Sequence, residues 1–143
     1  VPAKTLFVAV RGMCLAKDIP VAMAEVPMAF NQDIKALMPL SNVDAEYLLY
    51  TFQYHKADIL QFVGTSAHST KRLGTSSLQT LPILLPSIEE QQLISEALRA
   101  CDRKITALEQ EAAFLDELFR AMLEELMTGR LSALPLVEEK TLN

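Results

Sequence analysis

The feature that most constrains this chain is a run of apolar residues in its C-terminal half that recurs at alternating steps of four and three. Residues 87–128 contain the run and hold no proline or glycine. This spacing places every member of the run along one stripe of a helix and is typical of a coiled-coil seam. The predicted seam positions are Ile94, Leu98, Cys101, Ile105, Leu108, Ala112, Leu115, Phe119, Met122 and Leu126.

A helix of this length carries an apolar stripe that needs a partner. About forty residues span roughly 60 Å, and the other helix predicted in the chain is too short to cover them. Because an exposed apolar stripe is unfavourable in water, we expect the long helix to pair with another helix, as a spacer or dimerisation rod. The alternative is a long helix that packs on its own domain.

The start of the helix is marked by the segment LPILLPSIEEQQLI, residues 81–94. Its two prolines disfavour helix before residue 87, whereas Ser87 followed by Glu90 predicts a capping box. Gly129 is expected to end the helix. These signals predict an N-terminal domain at 1–86, a spacer or dimerisation helix at 87–128 and a C-terminal tail at 129–143.

The first part of the chain predicts an α/β (α+β) domain. Residues 5–12 are apolar and rich in β-branched side chains, which predicts a buried strand. Residues 19–39 predict one or two further strands, in which proline is confined to starts, edges or bulges.

Residues 41–64 change to a helical period. Ser41, Asn42 or Asp44 is expected to cap this helix, and Gly64 is expected to end it. Its predicted face is formed by Leu48, Phe52, His55, Ile59 and Phe62.

Residues 64–77 are polar and rich in serine and threonine, which predicts a loop. Within it Lys71 and Arg72 are candidate DNA contacts, because lysine binds phosphate as a point charge and arginine as a fork. The ordinary alternative is a solvated basic pair. Further candidate contacts in this loop are Ser66, His68, Ser69 and Thr70. Residues 76–82 predict a single helical turn, and the stretch that follows predicts a short strand or an extended strap.

The charge is unevenly distributed. Residues 1–86 hold seven Lys/Arg against six Asp/Glu, a net charge of +1, while residues 87–127 hold four against ten, a net charge of −6. The whole chain carries −5 and does not have the basic excess of a typical nucleic-acid binder. The acidic helix itself is therefore not expected to lie on phosphates.

Other function classes find little support. Cys14 and Cys101 are far apart and lack metal-type spacing, so free thiols in a reducing cytoplasm are expected. We predict no metal, no cofactor and no membrane span. The phosphate-loop, dinucleotide, nucleophile-elbow and zinc-protease motifs are absent from the sequence, so we predict no catalytic residues.

Three segments resemble type I restriction-modification specificity subunits. The junction LPILLPSIEEQQLISEAL, residues 81–98, is similar to the family's LP-x-x-LP strap, which leads into an EQ pair and a long helix. LDELFRAMLEELMTGRL, residues 115–131, resembles the end of that helix. VRGMCLAKDIPVAMAEVPMAFNQDIKAL, residues 10–37, resembles the last strands of the target recognition domain.

The resemblance implies a non-catalytic subunit that binds double-stranded DNA and selects its sequence. In this family each recognition domain reads one half of a split site. The long helices pair into an antiparallel rod that sets the distance between the halves, and methyltransferase and restriction subunits assemble around it. We accordingly expect a cytoplasmic protein of bacterial or archaeal origin.

The chain departs from that pattern in two respects. A complete specificity subunit has two recognition domains and two long helices, and residues 1–86 are shorter than one complete recognition domain. We therefore expect a partial recognition domain whose helix pairs with a second copy in an antiparallel homodimer. The alternative is a module that does not bind DNA and only dimerises or docks on the methyltransferase subunit.

Overall fold

The computed structural model describes residues 1–65 and 70–134. It contains two compact units, Val1–Arg99 and Ala100–Asn143. The first unit holds two antiparallel sheets, three short helices and the first turns of a long helix. The rest of that helix belongs to the second unit. Helices and separate antiparallel sheets make the first unit an α+β structure, as the sequence predicts.

A three-stranded sheet forms the centre of the first unit. Its strands are β1 (Leu6–Ala9), β2 (Val21–Met23) and β3 (Ile34–Leu37), and β1 lies between the other two. The prediction of a first buried strand is confirmed, and the next segment supplies two more strands. A 3₁₀ turn, Met13–Ala16, connects β1 to β2.

The prediction of one helix over residues 41–64 is wrong in its extent. It is divided at His55 into α1 (Ala45–Tyr54) and α2 (Lys56–Leu60). Asp44 caps α1, since its Oδ1 accepts the Tyr47 N–H at 2.8 Å. The change of direction at His55 lets Ile59 reach the core and leaves Phe62 exposed, although a single amphipathic helix would bury both.

The prediction of a loop over residues 64–77 is also wrong in part. Gly64 does not end a helix, because it lies in strand β4 (Val63–Thr65), which pairs with β5 (Lys71–Leu73). Helix α3 (Thr75–Gln79) follows and confirms the predicted helical turn. The polar composition of these strands fits an edge pair that buries little besides Leu73.

The core lies between the central sheet and α1. Alternate residues of β1 point towards it, because successive side chains of a strand face opposite sides. Apolar side chains from α2, β5 and α3 complete the cluster. Its buried members are Leu6, Val8, Val10, Leu15, Ile19, Leu48, Phe52, Ile59, Leu73 and Leu78.

An ion pair joins the β1–β2 connection to α2. Lys56 Nζ donates to Asp18 Oδ2 at 2.9 Å. This hydrogen bond holds the pKa of the Asp18 carboxyl below its ordinary value, and a hydrogen bond from the Ile19 backbone acts in the same direction.

The long helix α4 (Ile88–Met127) begins and ends as predicted. Ser87 Oγ accepts the Glu90 N–H at 3.3 Å, which is the first half of a capping box. Beyond the helix Gly129 has φ 72°, a left-handed conformation that glycine adopts without strain. Residues 81–87 carry no regular structure and form an extended strap before α4.

The first turns of α4 are held against the rest of the first unit by buried polar side chains. Gln91 is only 1 % exposed. Its Oε1 accepts the Asp44 N–H at 2.9 Å, while its Nε2 donates to the carbonyls of Asn42 at 3.1 Å and Pro86 at 2.9 Å. One side chain therefore connects α4, the strap and the residues before α1.

Further contacts support the same joint. Ser95, 3 % exposed, places Oγ 3.0 Å from Asp44 Oδ1 and 2.9 Å from the Gln91 carbonyl oxygen, so these two acceptors share its single proton. Arg99 pairs with Glu46 at 3.0 Å. The Tyr47 hydroxyl donates to the strap carbonyl of Leu84 at 2.8 Å.

Replacement of Gln91 by alanine should destabilise the protein strongly. The change leaves one N–H and two carbonyls of a partly buried joint without their partner. We expect the free energy of unfolding to fall by about 2–4 kcal/mol. Urea denaturation followed by circular dichroism measures this loss. The neighbouring Gln92→Ala, at an exposed position, should change it by less than about 0.5 kcal/mol. Equal effects of the two substitutions would show that the buried hydrogen bonds are unimportant.

Candidate nucleic-acid interface

The two sheets meet where the chain leaves β1. Arg11 and Arg72 form an isolated antiparallel bridge. On either side of it, the Leu73 N–H donates to the Val10 carbonyl at 2.9 Å, and the Gly12 N–H donates to the Lys71 carbonyl at 3.1 Å. These backbone hydrogen bonds set two arginines directly opposite each other on neighbouring strands.

Glycine is required at this crossing. Gly12 has φ 133°, a conformation that other residues rarely adopt, and an added Cβ would lie 3.3 Å from Cys14 Sγ. The glycine lets the chain turn from β1 into the 3₁₀ turn while its N–H still bonds to β5.

A cavity of about 250 Å³ lies beside the bridge. We call it the basic cavity, because three of its side chains are cations and none is an acid. They come from the end of β1, from β3 and from β5. Its lining residues are Val10, Arg11, Gln32, Lys35, Arg72, Leu73, Gly74 and Thr75.

The positive charge of the basic cavity is only partly balanced. Arg11 Nη1 lies 3.5 Å from Asp33 Oδ1. Within the described part of the chain, Lys35 and Arg72 form no ion pair. Three cations against one carboxylate leave a formal charge of +2. Like charges directly opposite on paired strands are destabilising, so the pair of arginines favours an anionic ligand.

The structure separates the residues that the sequence nominated for DNA contact. Arg72 lines the basic cavity, whereas Lys71 turns to the other strand of its hairpin and donates to Thr65 Oγ1 at 2.9 Å. Thr70 immediately precedes β5. The remaining candidates, Ser66, His68 and Ser69, lie outside the described residues.

Sequence reasoning missed Arg11 and Lys35. Each is an isolated basic residue in an apolar segment, with no spacing that relates it to Arg72. The one usable signal was the glycine after Arg11, which marks a special backbone position. Convergence of the three cations depends on strand pairing between segments that are distant in sequence.

A second, apolar cavity of about 300 Å³ lies between α1, the strap and the first turns of α4. We call it the tyrosine groove. It includes the first two positions of the predicted seam, Ile94 and Leu98. Its lining residues are Tyr47, Tyr50, Thr51, Tyr54, His55, Leu84, Ile94 and Leu98.

The remaining seam positions belong to the second unit. Within the described chain these side chains are exposed, apart from the half-buried Leu126. Phe119, for example, exposes 64 % of its surface. The apolar stripe therefore lacks a partner among the described residues.

Residues 1–65 and 70–134 contain no group of three or more His, Cys, Asp or Glu arranged to hold a metal ion. No helix among them has the length and hydropathy to cross a membrane. Both cysteines are free and exposed.

The family profile of the type I restriction modification DNA specificity domain matches residues 1–116. Since the match covers most of the chain, the chain belongs to this family.

A curated relative is the specificity subunit of the type I restriction enzyme EcoR124I/EcoR124II from Escherichia coli. The two are 32 % identical over 102 residues, which is 71 % of this chain and 25 % of the relative. The chain thus spans about a quarter of the length of that relative.

Loss of one of the opposed arginines should stabilise the protein in the absence of DNA. We expect Arg72→Gln to raise the free energy of unfolding by about 0.2–1 kcal/mol at low salt, because it removes like-charge repulsion. The gain should shrink as salt screens the charges. Urea denaturation at two salt concentrations measures it. Arg103→Gln, an exposed change in α4, is the control; a stability loss for Arg72→Gln alone would contradict the repulsion.

Proposed function

We propose that this chain is a DNA sequence-recognition subunit, or part of one, in a type I restriction-modification system. The first unit binds double-stranded DNA, and α4 assembles the protein through an antiparallel coiled coil. The subunit is non-catalytic and works in the bacterial or archaeal cytoplasm with methyltransferase and restriction subunits. Family membership and the basic cavity together support this proposal.

The observation that carries DNA binding is the pair of arginines held opposite each other. Backbone hydrogen bonds force Arg11 and Arg72 together, and Lys35 adds a third cation to the same cavity. A protein without an anionic ligand gains nothing from this arrangement. A DNA backbone supplies closely spaced negative charges and releases counterions when cations bind it.

The remaining DNA contacts are assigned to the segment that joins β4 and β5 and to its flanks. Lys71 and Thr70 offer a cation and a hydroxyl next to Arg72, which suits phosphate binding. Ser66, His68 and Ser69 stay candidate contacts on the sequence alone. The acidic surface of α4 would repel phosphates, so DNA is expected to approach the first unit.

Removal of the two unpaired cations should weaken DNA binding and its dependence on salt. The Lys35→Gln/Arg72→Gln variant is expected to bind duplex DNA more weakly, with the slope of log K against log salt reduced by about two, one for each lost phosphate contact. Fluorescence anisotropy over a salt series measures both quantities.

The matched control is Arg103→Gln/Lys104→Gln, which removes the same two charges from α4. It should leave affinity and slope nearly unchanged. Absence of DNA binding by the unaltered chain at low salt would contradict the proposal and leave the assembly module as the better interpretation.

Self-assembly through α4 follows from the symmetry of its seam. In an antiparallel pair of copies centred on residue 110, each seam side chain faces another seam side chain, so the whole stripe is buried. The facing pairs are Ile94 with Leu126, Leu98 with Met122, Cys101 with Phe119, Ile105 with Leu115, and Leu108 with Ala112.

The same symmetry places like charges together at the centre. Glu109 flanks the seam on one side and Glu111 on the other, and each faces its own copy in the second chain. Apolar burial must therefore overcome carboxylate repulsion. Salt should strengthen this pairing, whereas it weakens DNA binding.

Two substitutions should shift self-association in opposite directions. Leu108→Asp places a charge in the apolar seam and should dissociate the dimer at concentrations where the unaltered chain is dimeric. Glu109→Gln removes the central repulsion and should tighten the dimer severalfold at low salt. Sedimentation equilibrium measures both dissociation constants.

Glu117→Gln is the matched control for the second change, since position 117 lies opposite the seam on the helix. It should alter the dimer constant much less than Glu109→Gln does. A monomeric unaltered chain, or a Leu108→Asp variant of unchanged mass, would contradict the homodimer.

The tyrosine groove favours the second candidate function, a pure assembly module. It combines the exposed Tyr54 and the half-buried Tyr47 and Tyr50 with the first two seam residues in one apolar surface. Tyrosines in such a groove are typical of protein interfaces. Under this alternative the chain binds the methyltransferase subunit without binding DNA. Groove substitutions would then abolish assembly, and changes in the basic cavity would have no effect.

A further inference from the structure

The three cations of the basic cavity differ in how firmly they are held. Lys35 and Arg72 project from strands without an ion-pair partner among the described residues. Arg11, in contrast, is held by backbone hydrogen bonds, and its guanidinium forms an ion pair with a carboxylate 3.5 Å away. Arg11 is therefore suited to a planar partner in a defined position. Lys35 and Arg72 are suited to phosphates, whose positions need not be exact.

Asp33 is the residue that fixes Arg11. The Asp33 carbonyl accepts the Val10 N–H at 2.8 Å and the Arg11 N–H at 3.3 Å. The Asp33 carboxylate lies 3.5 Å from Arg11 Nη1. Asp33 thus binds the backbone of Arg11 and forms an ion pair with one nitrogen of its guanidinium.

One oxygen of the Asp33 carboxylate is enclosed by the protein, and the Asp33 backbone is held by a neighbouring side chain. Asp33 Oδ1 is buried and has no hydrogen-bond partner among the described residues, while the Asp33 N–H donates to Asn31 Oδ1 at 3.0 Å. Arg11 is the ion-pair partner of Asp33 Oδ1. The pair restricts the orientations of Arg11 before any ligand arrives, which lowers the entropy lost on binding.

Base edges and phosphates place different demands on a cation. Guanine presents O6 and N7 side by side in the major groove, and a planar arginine fork matches both acceptors. Phosphate contacts tolerate a mobile point charge and carry no sequence information. An arginine with a carboxylate partner, beside two cations without one, is suited to read one base between two phosphates.

We propose that Arg11 reads a guanine in the major groove, with Asp33 as its positioning residue and with Lys35 and Arg72 bound to neighbouring phosphates. This inference rests on the proposed DNA-binding function and adds the base that is read. Arg11 donates both hydrogen bonds of the guanidinium edge that faces away from Asp33.

Selection of duplexes from a random-sequence library tests this assignment. The unaltered chain should enrich sites with a guanine at one fixed position. Arg11→Lys keeps the charge but lacks the fork, so it should bind the library with similar average affinity and lose that guanine. Arg72→Gln should bind all sequences more weakly and keep it. Asp33→Asn should reduce the preference for guanine more than it reduces average affinity.

An atomic substitution in the selected DNA sharpens the test. Replacement of the guanine by 7-deazaguanine removes the N7 acceptor and should weaken binding by the unaltered chain about tenfold. Arg11→Lys should show a much smaller loss, and Arg72→Gln the full loss. Each variant must first show the circular dichroism spectrum of the unaltered chain, so that only folded proteins are compared. If Arg11→Lys fails to fold, Asp33→Asn takes its place.

The outcomes are distinct. A selected site in which Arg11→Lys retains the guanine and its sensitivity to 7-deazaguanine would overturn the assignment of Arg11 while leaving DNA binding intact. Loss of the guanine preference in Arg72→Gln, with the preference kept in Arg11→Lys, would overturn the assignment as well. A chain that enriches no DNA at low salt would overturn the proposed function and this inference together.

Discussion

The joint between the first turns of α4 and the rest of the first unit depends on the side chain of Gln91. This side chain satisfies three backbone groups at once, from the strap and from the residues before α1. Buried hydrogen bonds are directional, and an unmade one is costly, so they select one orientation where apolar packing alone would allow several. The glutamine of the EQ pair thereby acquires a physical meaning, because its side chain closes the joint.

The basic cavity shows the opposite kind of energetics. Gln91 satisfies its surroundings, whereas Arg11 and Arg72 are brought together by backbone hydrogen bonds although their charges repel. Natural proteins depart from local consistency of this kind mainly at functional sites. A surface that is poorly satisfied in the free protein becomes well satisfied once an anionic ligand is bound, and DNA is the anion that the family makes most relevant.

Elements built from local signals were predictable. The capping of α4 at Ser87, its end near Gly129 and the capping of α1 by Asp44 each depend on a few neighbouring residues, and the first strand on its own apolar run. The break at His55 and the hairpin of β4 and β5 were not predictable in this way. Residues 56–65 continue an apolar spacing compatible with helix, and only pairing with Lys71–Leu73 decides in favour of strand for its last part.

The sequence by itself determined that the chain has a small α+β part, a sharply capped long helix and an apolar stripe along that helix, because these properties follow from the order of neighbouring residues. It also identified the family, through the strap and the residues that follow it. Only the tertiary structure decided where the cations converge and which polar residues of α4 are buried. Arg11, Lys35 and Arg72 are distant in sequence, and strand pairing brings them to one cavity, since backbone hydrogen bonds between strands are indifferent to the charge of the side chains they place together.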